Sequence, residues 1–394
     1  MESIDQLIDY ELPGLVELRH QLHKHPELAY EETETARRVV EQLQNLPGME
    51  LQTGVAETGV VATLGADRDG PCVALRADMD ALPIEEITSR PYRSKVPGKM
   101  HACGHDGHVT CLVGAARVLS QLADLAGPVR FVFQPAEEGG AGGRRMCEEG
   151  VLEDPEVVAI FALHGWPDLE QGQVGLRPGV LLASSDRLTI QVRGGGGHAA
   201  FPQHTVDPVL TASHIVVALQ SLVSRNTDPL DSVVVTVAQI HGGTADNIIP
   251  GEVSLRGTVR TLSSETRNST FERIRLVSAQ TAAAYGAEAD VVIDDGYPML
   301  ENDADATTYM DSIVGRCGFD AVPITPVMGG EDFAFYSQQI PASMVALGVR
   351  PAGQEFYPQL HQPDYEFPDE AIAAGVRLHV ETARRFWSEG LGAR

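Results

Sequence analysis

Short apolar segments alternate along this chain with segments of helical spacing. The apolar segments are VVATLG, CVALRADMD, VRFVFQ and VVAIFALH, and the helical ones include LIDYELPGLVELRHQL, ETARRVVEQLQNL and CLVGAARVLSQLADL. Strands that are apolar almost throughout are buried on both faces, and together with intervening helices they form a sheet covered on both sides. The sequence therefore predicts an α/β fold with a mainly parallel sheet.

From about Ser184 the order of the elements changes. SDRLTIQVR is predicted to be a strand, VDPVLTASHIVVALQSLVSR a helix, SVVVTVAQIHG and EVSLRGTVRTL strands, TRNSTFERIRLVSAQTAAAY a helix, and AEADVVID a strand. This βαββαβ order is that of a ferredoxin-like layer of helices on a sheet. After Asp294 helices and strands resume with ADATTYMDSIVGRCG, PITPVMGG and SMVALGV. We therefore predict one domain in two parts, residues 1–183 and 295–394, with a second domain, residues 184–294, inserted into it.

Composition excludes several functions. The 394 residues exceed what one hydrophobic core usually supports, and the formal net charge of −26 disfavours nucleic acid phosphates and anionic membranes as partners. No apolar segment approaches the roughly 20 residues that span a bilayer, and the first residues, MESIDQLIDYELPG, lack the apolar region of a signal peptide. The five cysteines are irregularly spaced, which fits a reducing compartment. We expect a cytoplasmic protein.

Side chains that can bind a metal ion follow three of the apolar segments. They are Asp78 and Asp80, Glu137 and Glu138, and His164. A further pair, Cys103 and His105 in MHACGHDGHV, follows a loop and precedes a helix, so it can join the same edge of the sheet, where sites in α/β folds form. A thiolate, imidazoles and carboxylates together suit Zn²⁺, Mn²⁺, Co²⁺ or Ni²⁺ better than Mg²⁺ or Ca²⁺.

The adjacent glutamates indicate amide hydrolysis if they divide two tasks. One would bind metal, while the other would take the proton of a metal-bound water and return it to a leaving amine. Each residue alone has a simpler interpretation: a glutamate pair in a solvated turn, a hydrogen-bonded histidine at the end of a strand, or an inert packed thiol. Their shared position at strand ends favours a common site.

Eight segments, in order along nearly the whole chain, resemble one family. They are RADMDALPIEE, GKMHACGHDGHV, QPAEEGGAGG, ALHGWP, RGGGGHAAFPQHTVDP, DNIIPGEVSLRGTVRT, MGGEDFAFY and LHQPDYEF. They resemble the amidohydrolase branch of the aminoacylase/carboxypeptidase superfamily of di-metal peptidases, which includes hippurate hydrolases, N-acyl-amino-acid amidohydrolases and auxin-conjugate hydrolases. The resemblance implies a metallohydrolase catalytic domain with an inserted ferredoxin-like domain that acts as a lid and in dimerisation.

The resemblance also implies roles for residues of the catalytic domain. A centre of two divalent transition-metal ions is expected to be held by Cys103, His105, Glu138, His164 and His361. Glu137 is expected to be the general base and acid, and Asp80 to orient a metal-binding imidazole. Cys103 stands where most relatives carry a bridging aspartate, so we expect its thiolate to bridge the two ions. The histidines of RHQLHKHPEL, together with His101 and His108, are expected not to bind metal.

Three residues of the inserted domain are expected to act on the substrate. By the resemblance, His198 reaches the active site of the partner in a homodimer and polarises the scissile carbonyl, while Asn247 and Arg260 hold the substrate carboxylate. For Asn247 and Arg260 the alternatives are a turn-capping amide and an exposed strand arginine.

The predicted function is metal-dependent cleavage of the amide bond of N-acyl amino acids or related small conjugates, with metal-bound water activated by Glu137. Two alternatives stay open. One is a dipeptidase or carboxypeptidase that uses the same metals on a substrate with a free amine. The other is a non-catalytic module that binds small acids, although a purely structural metal site has no need of the extra carboxylate of Glu137.

Overall fold

The computed structural model describes residues 3–122 and 125–391. The helices are α1 (Ile4–Lys24), α2 (Thr33–Leu43), α3 (His105–Ser120), α4 (Gly142–Glu148), α5 (Pro208–Ser221), α6 (Ser264–Ala284), α7 (Ala304–Arg316), α8 (Ala334–Ser337) and α9 (Ile372–Glu389). The strands are β1 (Met49–Val55), β2 (Gly59–Leu64), β3 (Cys72–Asp78), β4 (Val129–Gln134), β5 (Val157–Glu170), β6 (Gln173–Leu176), β7 (Gly179–Leu182), β8 (Ser184–Arg193), β9 (Gly197–His198), β10 (Val233–His241), β11 (Ile248–Ile249), β12 (Glu252–Thr261), β13 (Glu288–Tyr297), β14 (Leu300–Asn302), β15 (Asp320–Pro323) and β16 (Ala342–Arg350).

The chain forms two compact units. The larger unit consists of Met1–Gly179, Glu301–Thr325 and Asp332–Arg394, and the inserted unit of Val180–Leu300 and Pro326–Glu331. The short return segment belongs to the inserted unit because Val327 donates its backbone N–H to the carbonyl oxygen of Leu181 at 3.0 Å. The assignment of residues 184–294 as an independent domain stays a prediction.

The larger unit contains an eight-stranded sheet in the order β1-β2-β4-β3-β5-β16-β6-β15. Its four central strands, β4, β3, β5 and β16, are parallel to one another. Strand β2 pairs antiparallel with both of its neighbours, β1 and β4. Strands β2, β3 and β4 are buried along their whole length. Their apolar sequences therefore meet helices or loops on both faces, and the prediction of an α/β fold with a mainly parallel sheet is confirmed.

Local sequence fixes where two of the helices begin. At the start of α1, Ser3 Oγ accepts the backbone N–H of Gln6 at 3.2 Å, and Gln6 Oε1 accepts that of Ser3 at 2.8 Å, which is a capping box. Helix α3 starts after Gly104, whose φ of 88° is in the left-handed region. A Cβ at Gly104 would also lie 3.1 Å from the Tyr365 hydroxyl, so the turn before α3 favours glycine for two reasons.

The inserted unit has its own sheet and core. Its four strands lie in the order β10-β12-β8-β13 and are all antiparallel to their neighbours. Alternate residues of β8, among them Leu188, Ile190 and Val192, are buried with Ile215 of α5 and Ile274 of α6. Along the chain the order is β8, α5, β10, β12, α6 and β13, with the short strand β11 before β12. No described helix in either unit combines the length and apolar character that a bilayer crossing requires.

Candidate metal centre

The carboxyl ends of β3 and β4 and the middle of β5 bring the predicted site residues together. Strand β3 ends at Asp78, two residues before Asp80, and β4 ends at Gln134, just before the bend that carries Glu137 and Glu138. The prediction that a strand ends at His164 is wrong, because β5 continues to Glu170. Pairing of β5 with β3 stops at Ala162, however, so the β3 side of β5 is open at His164.

Three groups of possible metal ligands share members. In each group the ligand atoms lie within 4.8 Å of one another, and the groups are Cys103–His105–His164, Cys103–Glu138–His361 and His105–Glu137–Glu138. Cys103 links the first two groups, and His105 links the first and third. The six residues predicted to bind metal or move protons therefore form one cluster in the larger unit.

Backbone carbonyls fix the orientation of two imidazoles. His105 Nδ1 lies 2.8 Å from the carbonyl oxygen of Asp80, and His164 Nδ1 lies 2.9 Å from that of Gly165. A carbonyl oxygen only accepts, so both Nδ1 atoms carry a proton, and in the neutral form of each ring Nε2 has the lone pair that a metal ion needs. The lone pair of His164 faces Cys103, whose Sγ is 3.5 Å from Nε2. His105 Nε2 is buried and makes no hydrogen bond within the described residues.

His108 belongs to the same neighbourhood but has no lone pair to offer. Its Nδ1 donates to Asp78 Oδ1 at 2.7 Å, and its Nε2 accepts the backbone N–H of Gly165 at 2.9 Å. Although Asp78, His105 and His108 are close enough to form a ligand group, both ring nitrogens of His108 are already used. This geometry agrees with the expectation that His108 supports the site without binding metal.

Two buried carboxylates hold the bend that carries the adjacent glutamates. Asp80 accepts the backbone N–H of Glu137 at 3.0 Å and that of Glu138 at 2.9 Å. Glu32 accepts the N–H of Ala136 at 2.8 Å. Three successive N–H groups are thus bound while Ala136 has a φ of 56°, which a non-glycine residue rarely adopts. The bend is consequently fixed at the residue before Glu137.

His361 reaches the cluster from an irregular segment after β16. Its backbone N–H donates to the carbonyl oxygen of Ala102 at 2.8 Å, which ties it to the loop before Cys103. Its Nε2 lies 3.3 Å from Glu138 Oε1. The φ of His361 is 66°, again in the left-handed region, and its side chain is 53% exposed. This ring is the most accessible of the proposed ligands.

Burial and neighbouring charges shift the pKa values of the residues in the cluster. Burial disfavours a charged His105, but Asp78 and Asp80 outweigh burial and raise the pKa of His105 to about 10. Burial would raise the pKa of Glu138, yet His361 and His105 lower it. For His164, burial and the neighbouring His108 lower the pKa to about 3. In the absence of bound cations the site is thus anionic at its carboxylates, an environment that favours cations.

A buried ion network that no sequence pattern predicted lies beside the cluster. Arg76 Nη1 donates to Asp78 Oδ2 at 2.7 Å, and its Nη2 donates to Asp332 Oδ1 at 3.0 Å. Gln134 Nε2 donates to both oxygens of Asp332, at 2.7 and 2.9 Å. An arginine within a strand that is otherwise apolar was the available signal, since a buried guanidinium needs carboxylate partners.

A second buried cluster lies beside the loop that carries Cys103. His23, from the RHQLHKHPEL segment, is fully buried, and its Nδ1 lies 2.9 Å from Asp106 Oδ2. Arg19 Nη1 lies 3.5 Å from the same oxygen. Although burial disfavours a charged His23, Asp106 raises its pKa to about 9. The residue next to His105 in sequence is therefore held in place by a charge pair.

Glu32 gives a prediction for stability. Burial is the largest cause that raises its pKa, from 4.5 to about 7. A carboxyl whose pKa is higher in the folded state contributes stability below pH 4.5 and loses it as pH rises through about 7. Glutamine cannot ionise, so Glu32→Gln does not lose this stability. We expect the free energy of unfolding of the variant, minus that of the wild type, to rise by about 2 kcal/mol from pH 5 to pH 8.

Denaturant unfolding of Glu32→Gln and wild type at both pH values would test this expectation. The signal would be fluorescence from the two tryptophans, Trp166 and Trp387, which both lie in the larger unit. Glu50→Gln, at an exposed position of β1, is the control and should show no such difference. An equal free-energy change at pH 5 and pH 8 would mean that Glu32 does not hold a proton in the folded protein.

The predicted substrate-binding residues lie in the inserted unit. His198 of β9 pairs with Ile248 of β11, and the carbonyl oxygen of Asn247 accepts the N–H of Ala199 at 3.0 Å. The structure therefore brings His198 and Asn247 together on one two-stranded ribbon, where both are exposed. Arg260 lies on β12, is partly buried, and donates from Nη1 to the carbonyl oxygen of Val259 at 3.2 Å.

Comparison with known proteins supports the resemblance. The model of Peptidase family M20/M25/M40 matches residues 74–385. The chain is 40% identical over 370 residues to an N-acetylcysteine deacetylase of Bacillus subtilis, covering 94% of this chain and 96% of the relative. It is 43% identical over 382 residues to IAA-amino acid hydrolase ILR1-like 4 of Arabidopsis thaliana, covering 95% of this chain and 86% of the relative.

A solved structure agrees with these matches. A Bacillus subtilis protein described as a dinuclear metal binding peptidase from the M20 family superposes with a TM-score of 0.84 at 36% identity, covering 96% of this chain and 99% of that one. The family predicted from the sequence motifs is confirmed by the sequence and structure matches together. The chain belongs to Peptidase family M20/M25/M40.

Proposed function

We propose that the protein is a metal-dependent amidohydrolase that removes the acyl group from N-acyl amino acids or related small amide conjugates. The observation that carries the proposal is the cluster of Cys103, His105, Glu138, His164 and His361 beside a separate carboxylate, Glu137. Two of the relatives named above are a deacetylase of an N-acetyl amino acid and a hydrolase of amino acid conjugates, which supports the same substrate class.

The cluster fits two divalent metal ions. His105 Nε2 is buried and makes no hydrogen bond within the described residues, so it can donate to a metal. Glu138 Oε1 lies 3.3 Å from His361 Nε2, which brings two further possible ligands together. The mixed set of sulfur, nitrogen and oxygen suits Zn²⁺, Mn²⁺, Co²⁺ or Ni²⁺. When bound, such ions polarise a carbonyl and lower the pKa of water. The related B. subtilis structure is described as dinuclear, which supports two ions here.

We propose that the Cys103 thiolate bridges the two ions. Cys103 is the member common to the Cys103–His105–His164 and Cys103–Glu138–His361 groups, so one sulfur can serve both. Anomalous diffraction from crystals of the metal-loaded protein would locate the ions. Two anomalous peaks that are not both adjacent to the sulfur would contradict the bridge.

Glu137 handles the proton in this proposal. Its side chain is 6% exposed, and its Oε1 accepts the backbone N–H of Asp332 at a long 3.4 Å. Because Asp80 binds the backbone N–H groups of both glutamates, Glu137 is held beside Glu138, and the proposal gives the metal to Glu138 and the proton to Glu137. The carboxylate can take a proton from water and deliver it to the departing amine nitrogen.

The inserted unit would supply the remaining contacts with the substrate. The exposed His198 would donate a hydrogen bond to the scissile carbonyl oxygen, and in a homodimer it would do so in the partner's site. Asn247 and Arg260 would hold the substrate carboxylate, for which the planar guanidinium is suited. The family resemblance supports these roles, and the exposure of His198 and Asn247 leaves their side chains accessible.

Removal and return of metal tests the proposed function. We expect protein treated with a chelator to release no amine from N-acetyl amino acids, and Mn²⁺, Zn²⁺, Co²⁺ or Ni²⁺ to restore release. Elemental analysis should show about two ions per chain, and metal should raise the midpoint of thermal unfolding because it binds the folded protein.

The same experiment separates the alternatives. The family name includes peptidases, so unblocked dipeptides are assayed beside N-acetyl amino acids. If amine is released from unblocked dipeptides but not from N-acetyl amino acids, the dipeptidase or carboxypeptidase function is favoured. Bound metal without turnover of any substrate would favour a binding role and contradict the proposal.

A further inference from the structure

One face of the sheet in the inserted unit carries polar side chains, while the opposite face packs on the helices. On β8 every second residue is buried, and on β12 the same holds except at Gly257; the intervening residues are exposed or half-buried. The buried set includes Leu188 and Leu255, which contribute to the core with α5 and α6. The alternate set of residues therefore forms an open polar face.

Three arginines lie near one another on this face. Arg256 and Arg260 of β12 point to the same side, with Thr258 between them. Arg187 of β8 lies directly opposite Thr258. Successive residues on one side of a strand are about 7 Å apart, so Arg187 is a diagonal neighbour of both other arginines. The three guanidinium groups can reach a common region.

The acidic residues of this face are unevenly placed: Glu252, Glu288 and Asp290 lie at the end that holds Arg193, and Asp294 lies at the end that holds the three arginines. Arg187 lies opposite Asp294 of β13, whereas Arg256 lies between Gln239 of β10 and Thr189 of β8. Within the described chain Arg256 makes no ion pair. By contrast, Arg193, at the other end of β8, is paired with Asp290. A cluster of like charges is unfavourable, and an anion that binds there would relieve the repulsion.

The same side chains surround a depression of about 470 Å³. Its lining includes Arg187, Thr189, Gln239, Arg256, Thr258 and Asp294. The guanidinium groups, hydroxyl groups and amide can all donate hydrogen bonds to a carboxylate, and Asp294 is the one carboxylate in this lining. In a chain of net charge −26, this depression thus has a local excess of positive charge.

We propose that this depression binds a second carboxylate of the substrate, so that amides of acidic amino acids are preferred. The inference rests on the proposed function, in which Arg260 holds the α-carboxylate. The nearest lining residue, Thr258, lies one row, about 7 Å, along the strand from Arg260, and Arg256 lies two rows, about 13 Å, from it. A side-chain carboxylate that is one or two methylenes from the α-carbon can reach it with the help of the flexible arginines. Arg256 is thus a residue that determines specificity.

Turnover of matched substrates tests this proposal. We expect the wild type to have a higher kcat/KM for N-acetylglutamate than for N-acetylglutamine, which differ in charge and hardly in size. In Arg256→Gln this ratio should fall about two- to fivefold, the range for an accessible charge pair, and in Arg256→Glu it should fall further. Arg193→Gln removes a paired arginine from the same face and should leave the ratio unchanged. An equal ratio in wild type and Arg256→Gln would overturn the proposal.

Two further comparisons separate the possible failures. N-succinylalanine carries its second carboxylate on the acyl half, and a preference for it over N-acetylglutamate would overturn the assignment to the amino acid side chain. Turnover of N-acetylalanine without any preference for N-acetylglutamate would refute this inference and leave the proposed function intact. If no amide is cleaved, calorimetric binding of glutarate against butyrate decides: binding of glutarate that is lost in Arg256→Gln supports the carboxylate site, and no difference refutes it.

Discussion

Glu137→Gln is expected to reduce kcat by about 10³-fold while metal content stays at the wild-type level. Glutamine has nearly the same shape, and its amide oxygen can still accept the N–H of Asp332. It cannot take a proton from water, so the step that Glu137 serves loses its base and its acid together. Amine release and elemental analysis of the same preparation would measure both quantities.

The control for this variant is Glu148→Gln, at an exposed glutamate on α4 that lies eleven residues further along. It should keep full activity. If Glu137→Gln retains turnover within a few-fold of wild type, Glu137 is not the proton carrier. If it loses metal as well as activity, Glu137 is a ligand and its separation from Glu138 in the proposal is wrong.

Arg76→Met is expected to destabilise the larger unit by about 3 to 5 kcal/mol. The methionine fills similar space but leaves the carboxylates of Asp78 and Asp332 buried without the guanidinium that joins them. Both carboxylates are fully buried, so water cannot replace the lost hydrogen bonds. Denaturant unfolding followed by the fluorescence of Trp166 and Trp387 reports on this unit.

Arg37→Met is the matched control, because Arg37 on α2 is about half exposed and is paired with Glu34 and Glu41. Exposed pairs of this kind contribute at most about 1 kcal/mol. A loss below that value in Arg76→Met would show that Asp78 and Asp332 are satisfied by their other partners. It would also mean that the Arg76 network does not stabilise the part of the larger unit that carries the metal cluster.

The fold of the larger unit could be predicted because its strands are apolar almost throughout. VALRAD and VRFVFQ became the central strands β3 and β4, and the metal-capable residues that follow them came to lie at one edge of the sheet. Cys103 and His105 could be found for the same reason, since the helix that His105 begins has a clear apolar pattern. In these regions the apolar pattern predicts the strand or helix, and the metal-capable side chains stand directly at its end or start.

Other parts of the site have no periodic signal. His361 and Asp332 lie in irregular segments, and Asp332 meets Gln134 across 198 residues of sequence. Loop positions of this kind depend on tertiary contacts, and only the family resemblance identified His361. The pairing of Arg76 with two carboxylates was missed because a strand pattern shows that a residue is buried but not which residue it meets. The roles of His198, Asn247 and Arg260 stay predictions.

The division of the larger unit into three stretches of chain has a consequence for its synthesis. Strand β16 lies between β5 and β6 in the sheet but is separated from them by the whole inserted unit. A ribosome that has just released β5 must add about 180 further residues before β16 is complete, which takes about 10 to 40 seconds at ordinary elongation rates. During that interval every strand of the inserted unit has emerged, whereas one edge of β5 has no partner. The strand that carries His164 is therefore open to wrong pairing throughout that interval.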